Sequence, residues 1–103
     1  DRFKQKSFEK NKRFYKKNFT KNEITYCLKF KNYYEKFAGK FALKEALIKS
    51  IKENIQLLEI ETSYSNSKPI VKILGYEKHY RFLVSLTHEN NFAVAVVISE
   101  KII

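Results

Sequence analysis

The stretch HYRFLVSLTH, residues 79–88, sets His79, Arg81, Ser85 and Thr87 at alternating positions. Side chains on a strand point to opposite faces in turn. These four therefore share one face with Leu83, while Tyr80, Phe82, Val84 and Leu86 share the other. An imidazole, with a reference pKa of ~6.5, exchanges protons near neutral pH. A guanidinium grips phosphate oxygens with its planar fork, and hydroxyls can position a phosphate. Together these groups suffice to cut RNA without a metal. The substrate's own 2′-hydroxyl is deprotonated, the pentacoordinate phosphate is stabilised, and the leaving oxygen is protonated. His79 is then the acid/base, Arg81 the phosphate holder, and Ser85 and Thr87 the positioning groups, with Tyr76 and Lys78 just upstream. The same row also describes the solvated side of an ordinary half-exposed strand, and the residues alone leave both readings open.

Other chemistries find less support. There is no phosphate-cradling glycine loop, no H-E-x-x-H and no G-x-S-x-G. Glu59 and Glu61 share a strand face, where a solvated pair is the plainer reading. His79 and His88 lack third and fourth partners for a metal, so no metal site or cofactor is expected. His88 falls to a hairpin loop, a surface position from which its ring could still reach a bound phosphate. Cys27 stands alone, which rules out an internal disulfide and reads as a small core residue rather than a nucleophile.

Charge points to a partner. The 103 residues carry a net charge of +10, and 18 of the 21 basic residues are Lys. Residues 1–40 hold thirteen bases against four acids, a net of +9, while residues 41–103 hold eight against seven. Such asymmetry marks a face for a polyanion, of which nucleic acid is the commonest. Lys10, Lys12, Arg13, Lys16, Lys17 and Lys78 are the candidate substrate-binding bases. Aromatics interleaved with lysine, as in KRFYKKNF, fit a single-stranded RNA groove as well as an ordinary amphipathic helix. An acidic protein or an anionic membrane surface remains open as the partner. No apolar run approaches the ~20 residues that span a bilayer. The chain opens on Asp1 rather than Met, which is compatible with a fragment of something longer.

These residues need elements to hold them. One domain, 1–103, is expected, with a basic helical arm over 1–19, a mixed and mainly helical segment over 20–55, and an antiparallel sheet over 56–103. Phe8, Tyr15 and Phe19 form a narrow apolar stripe on the arm. Residues 20–31 are ambiguous. Thr20 and Glu23 match a capping box, yet Ile24, Tyr26, Leu28 and Phe30 alternate as a strand does, and the strand is favoured. Over 32–55, Leu43, Ala46, Leu47, Ser50, Ile51 and Ile55 trace one buried helical stripe, with Lys44, Lys49, Lys52 and Glu53 outside it. Gly39 is placed to bend or break that helix. Strands follow at 58–64, 70–76, 79–87 and 92–99. The last is apolar on both faces and should sit centrally, covered on both sides or by a helix on one. The expected fold is α+β, with N-terminal helices packed on a four-stranded antiparallel sheet.

The stretch at 73–102 resembles the C-terminal half of RelE-type toxins, a group that includes the colicin D-type ribonucleases. Leu74, Gly75 and Tyr76 lead to Tyr80 and Arg81 on a strand, then a hairpin and a very apolar last strand. The resemblance implies a metal-independent endoribonuclease toxin acting on tRNA or ribosome-associated mRNA. It also implies an acidic immunity or antitoxin partner and a cytoplasmic site of action, reached from outside in some members. Two other readings remain: a non-catalytic nucleic-acid-binding module, and an assembly domain whose basic arm docks to an acidic protein.

Overall fold

The computed structural model describes residues 7–89 and 92–102. Three helices come first: α1 (Lys12–Asn18), α2 (Lys21–Cys27) and α3 (Tyr33–Ser50). A 3₁₀ turn at Leu57–Glu59 then leads into β1 (Ile60–Ser65), β2 (Lys68–Ile73), β3 (Tyr80–Glu89) and β4 (Phe92–Lys101). The α+β class holds, but the single four-stranded sheet does not. β1 pairs only with β2, and β3 only with β4, giving two antiparallel two-stranded sheets. The β1–β2 hairpin closes through Asn66 and Ser67, whose φ angles of 52° and 66° fit a two-residue turn with both centres left-handed. The β3–β4 ribbon runs in register from Tyr80↔Lys101 to Glu89↔Phe92.

The strand expected over 20–31 is a helix instead. Thr20 Oγ1 accepts from the Glu23 amide at 3.2 Å, and Glu23 returns Oε1 to the Thr20 amide at 2.8 Å. This reciprocal cap satisfies two orphan donors at once, and the helical spacing of four turns both Glu23 and Cys27 inward. The alternating apolar residues lose this contest, and Leu28 is left exposed. On the arm, the described helix begins only at Lys12, and residues 1–6 lie outside the described residues. α3 runs straight through Gly39 and stops at Ser50, short of Ile55.

Two cores result. Tyr15, Phe19, Cys27 and Phe37 form one among the helices, with Phe8 packed against it. The Tyr15 and Phe37 rings are 4.5 Å apart. Leu43, Leu47, Ile60, Val71 and Ile73 form the other, where α3 meets β1 and β2. The even-numbered side chains of β3, Tyr80 to Leu86, pack against this second core. β4 is not central, since it pairs with β3 alone, and of the two coverings expected it has the helix on one face, where Ala95 and Val97 pack on the core that α3 helps to form. Leu83 on β3, and Phe92, Val94, Val96 and Ile98 on β4, are exposed, Leu83 by 67% and Ile98 by 60%. The cross-strand pairs Leu83↔Ile98, Ser85↔Val96 and Thr87↔Val94 make this one continuous outer face.

Candidate active site

The row that opened the sequence reading splits in the structure. Arg81, Ser85 and Thr87 lie exposed on the outer face of the ribbon. Arg81 Nη1 there meets Glu100 Oε1 at 2.9 Å, across the strands. His79 precedes β3 and does not join them. It sits edge-on to Tyr76, with centroids 5.4 Å apart, in a cleft of about 380 Å³ that Glu53, Glu59, Tyr80 and Lys101 also line. Its Nδ1 is buried without a hydrogen-bond partner. Lys78 is exposed on the turn before it. Lys10, Lys12, Arg13, Lys16 and Lys17 are all exposed, on α1 and the turn ahead of it.

The cleft around His79 is poorly suited to phosphates. Two carboxylates line it, and its lysine is already engaged, with Lys101 Nζ donating to Glu53 Oε2 at 2.9 Å. The Tyr80 hydroxyl and the Lys101 ammonium hold the Glu53 carboxyl at about 2. Tyr80 approaches Glu53 without completing a hydrogen bond of good geometry.

The second imidazole stands elsewhere. His88 is on β3 itself, paired with Ala93, and not in the hairpin loop. Its even number gives it the inward parity of Leu86 and Val84. Its ring lies against α3 at Gly39, where an added Cβ would sit 3.2 Å from Cε1 and from Nε2. His79 and His88 are nine chain steps apart, nearly all of them along β3, roughly 30 Å at strand rise, so they cannot serve one reacting centre within one chain.

α3 is held in place by a buried polar hub that the sequence reading missed. Lys44, expected outside the buried stripe, is fully buried, and so is Lys40. Lys44 pairs with Glu23 and donates to the carbonyl oxygens of Asn18 and Leu57 at 2.9 and 3.0 Å. Lys40 donates to Thr62 O and Oγ1 at 2.8 and 3.1 Å and lies over the Tyr26 ring. Thr62 in turn donates its amide and hydroxyl to Glu23 Oε2 at 2.8 and 2.7 Å. Burial lowers the proton affinity of both lysines, against the pull of Glu23. The same burial pushes the Cys27 thiol up to about 12, leaving it inert. One signal was available: Lys40 and Lys44 continue the spacing of Leu43 and Leu47, so the buried stripe simply includes two lysines.

Among the described residues no group of three or more His, Cys, Asp or Glu gathers as metal ligands. No helix of the described residues is long and apolar enough to cross a membrane.

Residues 1–97 match the family model of the 4'-phosphopantetheinyl transferase superfamily. The holo-[acyl-carrier-protein] synthase of Thermodesulfovibrio yellowstonii is 39% identical over 97 residues, covering 90% of this chain and 84% of that protein. The synthase of Mycoplasma capricolum is 35% identical over 81 residues, covering 77% and 71%. The crystal structure of Thermotoga maritima holo-[acyl-carrier-protein] synthase superposes with a TM-score of 0.75 at 29% identity, over 96% of this chain and 58% of that one. These matches overturn the resemblance to RelE and colicin D-type toxins. With it go the ribonuclease activity, the nucleic-acid-binding alternative, RNA as partner and the immunity protein. The L-G-Y and Y-R matches were short, and a strand, a hairpin and an apolar last strand recur in many unrelated folds.

Proposed function

We propose that this chain, which belongs to the 4'-phosphopantetheinyl transferase superfamily, transfers a 4'-phosphopantetheinyl group to an acyl carrier protein. The observation that carries this is the extent of the likeness to named synthases, which runs over nine-tenths of the chain. The charge map supplies the second half of the reading. Lys10, Lys12, Arg13, Lys16 and Lys17 stand exposed on and beside α1, while Tyr15 and Phe19 anchor the helix in the core. A rigid basic face of this kind steers and orients an acidic protein surface. The bases assigned to RNA phosphates thus become the docking face for an acidic carrier.

In the transfer, a carrier hydroxyl attacks the phosphorus that bears the pantetheine. The bond from that phosphorus to its leaving phosphate opens, and the hydroxyl's proton passes to a base. His88 is the side chain we assign to the proton, because the cleft around His79 is lined by carboxylates and its lysine is paired. His88 also lies against the same early turns of α3 that pack on α1. The reading places the chain in the cytoplasm with its carrier, and delivery from outside falls with the toxin reading.

The test is steady-state transfer from coenzyme A to an apo acyl carrier protein in magnesium buffer, comparing the chain with its Lys12→Glu, Arg13→Glu, Lys16→Glu variant. The variant is expected to raise KM for the carrier at least tenfold at low salt, with KM for coenzyme A unchanged, and the gap should shrink as salt rises. Equal KM values would remove α1 as the docking face. No transfer by the unmutated chain would contradict the activity.

A further inference from the structure

We propose that Gly39 is a positioning residue: the absence of a side chain there seats the His88 imidazole for the transfer step, an inference that rests on the activity proposed above. Gly39 needs an explanation because a helix interior disfavours glycine. The backbone gives none, since α3 is regular through it and Gly75 is the glycine with positive φ among the described residues. The space around it does. A Cβ at 39 would meet His88 Cε1, His88 Nε2 and Leu86 Cδ2, each at 3.2 Å. Three simultaneous contacts tighter than ordinary packing mean that a methyl group must displace either the ring or the helix.

The helix is the harder of the two to move. Lys40, the next residue, is bonded to Thr62, and Lys44 one turn on is paired with Glu23. Both lysines are fully buried, so turning α3 to relieve the clash would strip two ammonium groups of their partners. On the ribbon side, His88 sits near the hairpin end of β3, opposite the small side chain of Ala93, and is exposed. Among the described residues its ring nitrogens make no hydrogen bond, so nothing but packing holds the imidazole. The ring is the part that moves, and Gly39 is what lets it rest on the helix. The glycine expected to break α3 therefore serves a contact between helix and ribbon.

The experiment compares Gly39→Ala, His88→Ala and the double variant in the full chain, with coenzyme A as donor and an apo acyl carrier protein as acceptor. Gly39→Ala should fold at least as well by circular dichroism, because alanine favours the helix. Its kcat should nevertheless fall by roughly tenfold or more, since small misplacements of a reacting group are costly. KM for the carrier should stay unchanged. In the His88→Ala background the same substitution should have no further effect. Full kcat in Gly39→Ala, or a loss that multiplies in full with that of His88→Ala, would overturn the proposal. The His88 imidazole resonances of the free protein give a readout that needs no transfer. They should shift in Gly39→Ala, and unshifted resonances would overturn the seating. If the unmutated chain transfers nothing, the underlying activity fails, while the resonances still decide whether Gly39 seats the ring.

Discussion

The two ends of this molecule reverse the usual distribution of polar and apolar groups in opposite senses. Where α2, α3 and β1 meet, two ammonium groups and a carboxylate are buried together. On the β3–β4 ribbon, a row of aliphatic and aromatic side chains faces outward, with nothing among the described residues to cover it. The difference lies in what surrounds each group. Buried charge is tolerated only with a partner and satisfied hydrogen bonds, and Glu23 supplies both by serving as helix cap, ion-pair partner and acceptor for Thr62. An apolar group in water carries no comparable demand on its neighbours. The hub is therefore a place where one substitution breaks several elements, whereas the outer face can change without disturbing the fold of its own chain.

The largest effect that would sharpen this contrast is at Glu23. Glu23→Ala leaves two buried ammonium groups without their carboxylate and removes the acceptor of the Thr20 amide, one half of the capping box of α2. It is expected to cost about 3–5 kcal/mol, read as a lowered midpoint in urea unfolding. A loss of under about 1 kcal/mol would mean that the hub is not what binds the helices to β1. Thr20→Ala cuts only the cap side of the network and the bond to Glu61. It should cost about 1 kcal/mol, and a cost equal to that of Glu23→Ala would merge the cap with the ion pair. Ile98→Ser on the outer face should stay within about 0.5 kcal/mol of the parent chain. A collapse comparable to the hub variants would break the comparison.

The smallest effect concerns pH. Glu53 is held at about 2, against an ordinary 4.5, by the Tyr80 hydroxyl and the Lys101 ammonium. A depressed carboxyl contributes stability that is present above its ordinary value and is lost as pH falls through its folded one. The chain should therefore lose a little stability between about 4.5 and 2, and Glu53→Gln should flatten that part of a thermal-melt profile. An unchanged acid limb would show that the pair does not couple to folding.

Much of the fold could be read from residue order, and the failures have physical causes. Alternation along 80–86 sorts the side chains of β3 into the two rows that the structure has, because strand parity is a rigid constraint, but it does not say which row faces inward. The same parity puts His88 in the row of Leu86 once the strand is carried one residue beyond the expected 79–87. Residues 20–31 carried a helix cap and a strand pattern at once. The cap prevailed because Glu23 is fixed by partners 39 and 21 residues away, Thr62 and Lys44, which no local pattern displays. Lys44 is expected outside the buried stripe by its type, yet its stem and that of Lys40 pack in the core and their ammonium groups end on Glu23 and Thr62. The basic excess was real, and its partner was misread. Charge alone does not separate a nucleic acid from an acidic protein, since both present the same sign at the same range.

The most direct measurement offers the purified chain both substrates in parallel. One reaction holds an apo acyl carrier protein with coenzyme A in magnesium buffer and is read by intact mass. The other holds total cellular RNA and is read on a gel. A carrier heavier by one phosphopantetheinyl group, beside intact RNA, is the predicted result. An unmodified carrier beside discrete RNA fragments would contradict the account.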